Sequence, residues 1–155
     1  MNILVLCTGN SARSILLEYI LNASGKVTAF SAGSKPAGKV HPQSLTLLNA
    51  LGYDTTAARS KSWDEFAAPD APVMDMVISV CGAAGQEPCP IWPGAPLRSH
   101  WGVDDPAAVD QPIWDVAFQT AYDRLKRRAD AFLALPLGQM DRTRLQTELN
   151  RIGML

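Results

Sequence analysis

The chain lacks the charge imbalance, targeting segment and basic run that would direct it to a polymer or a surface. Its 14 basic and 15 acidic residues give a formal net charge of −1, which argues against nucleic acid or a membrane as a partner. The apolar start, Met1 to Cys7, has no basic leader and is too short for a signal peptide or a membrane span. We therefore expect a cytoplasmic protein.

Cysteine is scarce, and its spacing excludes two common uses. The three cysteines are Cys7, Cys81 and Cys89, an odd number that argues against a structural disulfide framework and for thiols kept reduced until used. No C-x-x-C pair is present, which disfavours zinc, although three cysteines with His100 remain an alternative ligand set. We expect no metal and no bound cofactor, so each thiol needs another explanation.

Short apolar runs alternate with helical patterns along the 155 residues, which fit one domain over residues 1–155. Runs rich in branched apolar residues predict buried strands at Ile3 to Leu6, Val27 to Phe30 and Val77 to Val80. Apolar spacing and end signals predict helices from Ser11, from Pro42 to Gly52, near Trp63 to Phe66, through Phe118 to Phe132 before Pro136, and one to Gly153 with a capping box of Thr143 and Gln146. The glycines and prolines of residues 82–96 predict a surface loop.

This alternation predicts an α/β protein with a mostly parallel sheet covered by helices on both faces. Ligands of such sheets bind at the carboxyl ends of the strands. Cys7 and Cys81 both follow predicted strands, so the sequence predicts that they are neighbours in one site.

The loop after the first predicted strand has the form cysteine, five residues, arginine and serine. Its residues are Cys7, Thr8, Gly9, Asn10, Ser11, Ala12, Arg13 and Ser14. Small residues between a strand and a helix allow backbone N–H groups to surround an anion, to which the helix start adds positive potential. Arg13 can hold two oxygens of that anion. The pattern predicts a site for a tetrahedral oxyanion.

The same surroundings are expected to lower the pKa of the Cys7 thiol and make it a nucleophile at neutral pH. Ser14 can then donate a hydrogen bond to its sulfur, or serve only in the first turn of the helix. The bland alternative makes Cys7 a small buried residue and Arg13 a surface cation. Asn10 and Ser31 are expected to bond to each other or to the loop backbone.

These motifs together resemble the low-molecular-weight phosphatase family, over nearly the whole chain. The arsenate reductase branch is similar in residues 7–14, in Ser31-Ala32-Gly33, in Cys81, in Cys89-Pro90-Ile91 and in His100 to Pro106. The resemblance implies a three-layer α/β sandwich with a central, mostly parallel four-stranded sheet. It also implies that Asp105, before Pro106, is the general acid, with Asp104 as the alternative.

The resemblance further implies a thiol relay that reduces arsenate to arsenite in arsenic detoxification. In that relay Cys7 attacks arsenate, Cys81 attacks the adduct, and Cys89 resolves the Cys7–Cys81 disulfide. The recycling partner is an external thiol reductant, either thioredoxin or glutathione with glutaredoxin. A bound arsenate or phosphate is the expected ligand.

Three other interpretations remain open. A phosphatase of the same family would hydrolyse phosphomonoesters through a Cys7 phosphocysteine, but Ala107 follows Asp105-Pro106 where phosphatases carry an aromatic residue. Cys81 can be a core thiol and Cys89 a bystander. An oxyanion sensor would be expected to lack one of the three reactive residues, and all are present.

Overall fold

The structure is a computed structural model that describes residues 1–82 and 92–155. Four strands form one sheet, in the order β2-β1-β3-β4, and every neighbouring pair is parallel. The strands are β1 (Asn2–Leu6), β2 (Thr28–Ala32), β3 (Met76–Ser79) and β4 (Leu97–His100). The expected α/β sandwich is therefore confirmed, with a wholly parallel sheet.

Helices cover both faces of this sheet. They are α1 (Arg13–Ala23), α2 (Pro42–Ala50), α3 (Asp64–Ala67), α4 (Trp114–Leu133) and α5 (Arg142–Ile152), with short 3₁₀ turns at Pro106–Ala108, Gln111–Ile113 and Leu137–Gln139. No helix of the described residues is long and apolar enough to cross a membrane.

Alternate residues of β1 enter two separate cores. Ile3 and Val5 pack into the larger core with helices α1, α4 and α5, whereas Leu4 and Leu6 pack into a smaller one with Phe66 of α3. A strand buried on both faces has no polar side to present, which explains why β1 is a continuous apolar run. Its carboxyl end delivers Cys7 to the edge where the neighbouring strands also end.

Strand β4 escaped the residue pattern. It contains Arg98, Ser99 and His100 and lies at the edge of the sheet, where it pairs with β3 alone. An edge strand is half exposed, so its sequence need not be apolar. The four-strand expectation came from the family resemblance, not from these residues.

Two predicted helix caps were wrong. Helix α1 begins at Arg13 with Ala12 at its cap position and no side-chain cap, while the Ser11 carbonyl accepts hydrogen bonds from His41 N and Ser44 Oγ. Helix α5 is capped by Asp141, which accepts from Arg144 N at 2.7 Å, and not by a box of Thr143 and Gln146. In α1 the Ser11 carbonyl bonds to the start of α2, and in α5 Asp141 caps the helix ahead of Thr143.

Candidate active site

A cavity of about 160 Å³ opens between β1 and α1. It is lined by the loop residues Cys7, Thr8, Gly9, Asn10, Ser11, Ala12 and Arg13, together with Asp105 and Ala107. The fold thus brings the predicted oxyanion loop and the predicted acid around one space large enough for a small tetrahedral ion. Ser14, buried in the first turn of α1, is not part of the lining.

Asn10 fixes the shape of this loop from inside. It has a φ of 45° and is fully buried. Its Nδ2 donates to Ser14 Oγ at 2.9 Å and to Ser31 Oγ at 3.0 Å, and its Oδ1 accepts from Lys61 N at 2.9 Å. The predicted bond between Asn10 and Ser31 is confirmed. No hydrogen bond joins Ser14 to Cys7 in the described residues, so the predicted donation to the sulfur is not seen here.

Gly33 allows β2 to pass directly under the loop. A Cβ at this position would collide with the carbonyl oxygen of Thr8 and would lie 2.7 Å from that of Cys7. Lys35 N and Ala37 N also donate to the carbonyls of Thr8 and Gly9, at 3.0 and 2.9 Å. These contacts hold the carbonyls of Thr8 and Gly9 against the segment after β2 and so fix the course of the loop.

A buried ion pair lies behind Asn10, and the sequence patterns did not reveal it. Lys61 Nζ is 3.7 Å from Glu18 Oε2, and Lys61 Nζ donates to Ser31 Oγ at 3.4 Å. Burial raises the pKa of Glu18 and lowers that of Lys61, while each partner opposes the shift of the other. A lysine and a glutamate far apart in the chain carry no local signal of such a pair.

The guanidinium of Arg13 uses only part of its hydrogen-bonding capacity within the described residues. Its Nη1 donates to Val103 O at 3.0 Å and its Nη2 lies 3.6 Å from Asp105 Oδ2. Its Nε is buried and, within the described part of the chain, has no hydrogen-bond partner. A buried donor without a partner costs about 1–3 kcal/mol.

Asp105 faces the cavity, whereas Asp104 does not. Asp105 Oδ1 accepts from Ala107 N at 3.0 Å and so caps the turn Pro106–Ala108. Asp104 lines a different cavity of about 200 Å³, between this turn and α4. The geometry therefore favours Asp105 as the acid. His100, the histidine of the alternative zinc ligand set, has its Nδ1 at 2.6 Å from Ser79 Oγ.

Cys7 and Cys81 follow the neighbouring strands β1 and β3, and both are buried. The Cys81 sulfur accepts from Thr8 N at 3.4 Å and lies 3.6 Å from Thr8 Oγ1. The Cys81 thiol also lies close enough to Cys7 to raise the pKa of the Cys7 thiol. The predicted meeting of these residues across the sheet is confirmed.

The pKa of Cys7 is raised, contrary to the sequence-based expectation. The hydrogen bond with the Cys81 thiol and burial raise it, while the Arg13 charge and the Thr8 N–H lower it. Two thiols that share one site disfavour a second negative charge, which the loop alone could not reveal.

Cys89 and most of the predicted surface loop lie outside the described residues. Among the residues that are described, no group of three or more His, Cys, Asp or Glu side chains is arranged to hold a metal ion.

Comparison with known proteins gives consistent relatives. Residues 2–149 match the family described as low molecular weight phosphotyrosine protein phosphatase. An arsenate reductase of Halalkalibacterium halodurans is 33% identical over 135 residues, covering 82% of this chain and 91% of that protein. The crystal structure of an arsenate reductase from Archaeoglobus fulgidus has a TM-score of 0.62 at 25% identity, over 83% of this chain and 98% of that one. A low molecular weight protein tyrosine phosphatase from T. tengcongensis has a TM-score of 0.63 at 23% identity, over 84% and 95%, which shows the same fold.

Proposed function

The chain belongs to the low molecular weight phosphotyrosine protein phosphatase family, and from that premise we propose that it reduces arsenate to arsenite. The observation that carries this proposal is a second thiol, Cys81, which accepts from Thr8 N in the oxyanion loop at 3.4 Å and raises the pKa of the Cys7 thiol. Hydrolysis of an ester needs one cysteine, an acid and water. Reduction needs two electrons, and a pair of thiols in contact supplies them.

In the first step Cys7 Sγ attacks arsenic in the bound arsenate. A sulfur–arsenic bond forms, an arsenic–oxygen bond breaks, and the departing hydroxide takes the proton of Asp105 and leaves as water. A positioned carboxyl acid contributes about 10² to 10⁴ to the rate of such a step. Arg13 and the loop N–H groups hold the remaining oxygens.

The pKa of the Cys7 thiol is raised while no anion is bound. Its proton must therefore leave when the anion binds. We assign that proton to an oxygen of the entering hydrogen arsenate, which is the nearest base that binding brings. The bound anion then carries one negative charge fewer. The Cys7 sulfur becomes a thiolate, which is a stronger nucleophile than the thiol. Arg13 lowers the pKa of Cys7 and so favours the same transfer.

In the second step Cys81 passes its proton to the Asp105 carboxylate left by the first step, and the Cys81 thiolate attacks Cys7 Sγ. A disulfide forms, the sulfur–arsenic bond breaks, and its electron pair stays on arsenic, which leaves as arsenite. Two thiols and arsenic acid thus give a disulfide, arsenous acid and water. Because Cys81 lies next to Cys7, its sulfur has to move only a short distance to make this attack.

In the third step Cys89 attacks the Cys7–Cys81 disulfide and restores the Cys7 thiol, leaving Cys81 and Cys89 joined. An external thiol reductant, thioredoxin or glutathione with glutaredoxin, would reduce that final disulfide. Such chemistry suits a reducing compartment, so we place the protein in the cytoplasm with a role in arsenical resistance.

Phosphomonoester hydrolysis is the second candidate, because it shares the first step and the family is described by that activity. The cavity lining contains no aromatic side chain within the described residues, and Ala107 stands at its mouth. This lining fits a small inorganic ion better than an aryl ester. Weak aryl phosphate hydrolysis is expected as a side reaction.

The test assays arsenate reduction and aryl phosphate hydrolysis in parallel for Cys7→Ser, Cys81→Ser and Cys89→Ser, with excess reductant. Cys7→Ser is expected to abolish both activities. Cys81→Ser and Cys89→Ser are expected to stop multiple-turnover reduction and to retain the hydrolysis. If both variants reduce arsenate at the wild-type rate, the relay is wrong and the phosphatase assignment is the better one.

A further inference from the structure

Arg128, in the fifth turn of α4, is a buried cation that has no role in the proposed chemistry. It is 3% exposed, and its hydrogen bonds go only to main-chain carbonyl oxygens. No Asp or Glu side chain of the described residues pairs with it, and two of its bonds go to an oxygen of Leu155, the last residue of the printed sequence. Burial and the charge of Arg124 lower the pKa of Arg128. Burying a guanidinium is costly unless its donors are satisfied, and here main-chain oxygens satisfy them.

Its contacts connect three distant parts of the chain. Nη1 donates to Trp101 O at 2.7 Å and to Gly102 O at 2.9 Å, just after strand β4. Nε and Nη2 donate to Leu155 O at 3.3 and 3.0 Å. The rigid, planar fork of arginine can hold carbonyls on two sides at fixed angles, which the single ammonium of lysine cannot do.

The segment that Arg128 holds leads directly into the acid. The next carbonyl, Val103 O, accepts from Arg13 Nη1 at 3.0 Å, and Val103 N donates to Val80 O at 3.1 Å, one residue before Cys81. Two arginines from different helices therefore hold three successive carbonyls. Asp105 follows two residues later, with its Oδ2 at 3.6 Å from Arg13.

The path of this segment has little freedom to adjust. Trp101 is fully buried, its N donates to Ser79 O at 2.7 Å, and its Nε1 donates to Leu149 O at 3.1 Å. A rotated peptide at Gly102 would redirect the Val103 carbonyl that receives Arg13. The orientation of Arg13 and the place of Asp105 thus depend on the same two peptides.

We propose that Arg128 is a positioning residue for the reaction: by fixing the Trp101 and Gly102 peptides, it holds Arg13 and Asp105 in the geometry that the oxyanion requires. Arg128 itself does not line the cavity and touches no reacting atom. The proposal rests on the proposed function, in which Asp105 is the acid and Arg13 binds the anion.

The test measures arsenite formed in a single turnover without external reductant, together with the Kd for inorganic phosphate. Arg128→Met is expected to slow the single turnover about tenfold or more, since small misplacements of catalytic groups cost up to about 100-fold. Phosphate binding should weaken several-fold because Arg13 loses its fixed partner. Arg127→Met, an exposed neighbour on the same helix, is the matched control and should leave both values unchanged.

A double-mutant cycle separates positioning from general loss of structure. If Arg128 acts through Asp105, then adding Arg128→Met to Asp105→Asn should lower the rate little beyond Asp105→Asn alone. Arg128→Lys, which keeps a cation and most of the packing, should give a smaller loss with the same non-additivity. All rates are taken well below the melting temperature of each variant.

The outcomes distinguish this proposal from the proposed function. A full rate and a full phosphate affinity in Arg128→Met, or losses that multiply in the cycle while phosphate affinity is unchanged, would overturn the positioning role while leaving the reductase intact. If Arg128→Met does not fold and Arg128→Lys has the wild-type rate and phosphate affinity, the residue is structural only, and the proposal also fails. If Asp105→Asn alone keeps the wild-type rate, the acid assignment itself is wrong.

Discussion

At the scale of single residues, opposing effects act on the pKa of the Cys7 thiol. The Arg13 charge and the Thr8 N–H favour the Cys7 thiolate, whereas the bond with Cys81 and burial oppose it, and the opposing effects are larger. These effects therefore favour the protonated thiol of Cys7, the proposed nucleophile, while no anion is bound. A thiol that stays protonated until its substrate arrives is also less exposed to adventitious oxidation, because the thiolate is the reactive form.

Replacement of Cys81 is expected to make Cys7 more reactive toward a neutral alkylating agent. Since the bond with Cys81 is the largest cause of the raised pKa, Cys81→Ala should lower the pKa of Cys7. Each unit of lowering increases the thiolate fraction at neutral pH about tenfold. Alkylation of Cys7 by iodoacetamide at pH 7, followed by peptide mass spectrometry, should be several-fold faster in Cys81→Ala than in the wild type.

Saturating phosphate provides the control, since it fills the cavity and should slow alkylation in both proteins. Equal rates in the two proteins, or a slower reaction in Cys81→Ala, would show that the neighbouring thiol does not govern Cys7.

At this scale the sequence predicts which residues form the site better than it predicts their protonation. The loop pattern locates Cys7 and Arg13, and motif register selects Asp105 over Asp104, as the cavity lining also does. The protonation of Cys7 is different, because it depends on the distance to a thiol on another strand. No spacing within the loop carries that distance.

At the scale of elements, the oxyanion loop is shaped by what lies beneath it. Asn10 joins the loop to Ser31 of β2 and to the backbone of Lys61, and Gly33 lets β2 pass in contact. These supports lie on three separate segments. The loop is therefore preorganised by tertiary contacts, which matters because binding then needs no rearrangement of the N–H groups.

Gly33→Ala should destabilise the fold, because the new Cβ meets the carbonyl oxygens of Thr8 and Cys7. Forcing a methyl group into such a contact costs about 1–3 kcal/mol in free energy of unfolding. Gly138→Ala is the matched control, as nothing lies within 4 Å of its Cβ position, and we expect a change within about 0.5 kcal/mol. Urea denaturation measures both. Equal midpoints would mean that β2 can move away from the loop at no cost.

The Glu18–Lys61 pair should make stability depend on pH once it is broken. Removing one partner of a buried pair costs about 3–5 kcal/mol, so Lys61→Met should be strongly destabilised near neutral pH. Burial already raises the pKa of Glu18. An acid with a raised pKa stabilises the fold most below its unfolded pKa of about 4.3, and that contribution is lost as pH rises through the folded pKa.

The double variant Glu18→Gln with Lys61→Met is the reference, because it carries no buried charge at either position. Its stability advantage over Lys61→Met should grow between mildly acidic and neutral pH in urea titrations. A constant difference over that range would show that Glu18 stays solvated in the absence of Lys61.

Elements differ in how much of them the sequence reveals. Apolar patterns in the sequence predict the buried strands β1 and β3 and the long helix α4. The apolar positions of these patterns are buried in the structure. Strand β4 does not, because its edge position permits Arg98 and His100. The cap of α1 was also missed, since the Ser11 carbonyl bonds to α2 and its side chain caps nothing.

At the scale of the whole molecule, parallel topology concentrates the chemistry at one edge. Cys7 follows β1, Cys81 follows β3, and the segment to Asp105 follows β4, so three strand ends supply the proposed nucleophile, second thiol and acid. Helices α1 and α4 then approach the same edge with Arg13 and Arg128. The order β2-β1-β3-β4 is thus sufficient to assemble the site from distant parts of the chain.

Phosphate should stabilise the whole fold, because it binds the native cavity and not the unfolded chain. At 100 times its Kd, a ligand of this kind adds about 2.7 kcal/mol to the free energy of unfolding. For a chain of this size each kcal/mol raises Tm by about 2–4 °C. Arg127→Met should show the same shift, whereas Arg13→Met should show almost none. An unchanged wild-type Tm in millimolar phosphate would count against an anion site in the loop.

The most direct measurement mixes the fully reduced protein with a slight excess of arsenate and no external reductant, and counts arsenite and remaining thiols. We expect one arsenite per chain and the loss of two thiols, with neither change in Cys7→Ser. Arsenite formed without loss of thiols, or all three cysteines still reduced and no arsenite formed, would contradict reduction by this pair of sulfurs.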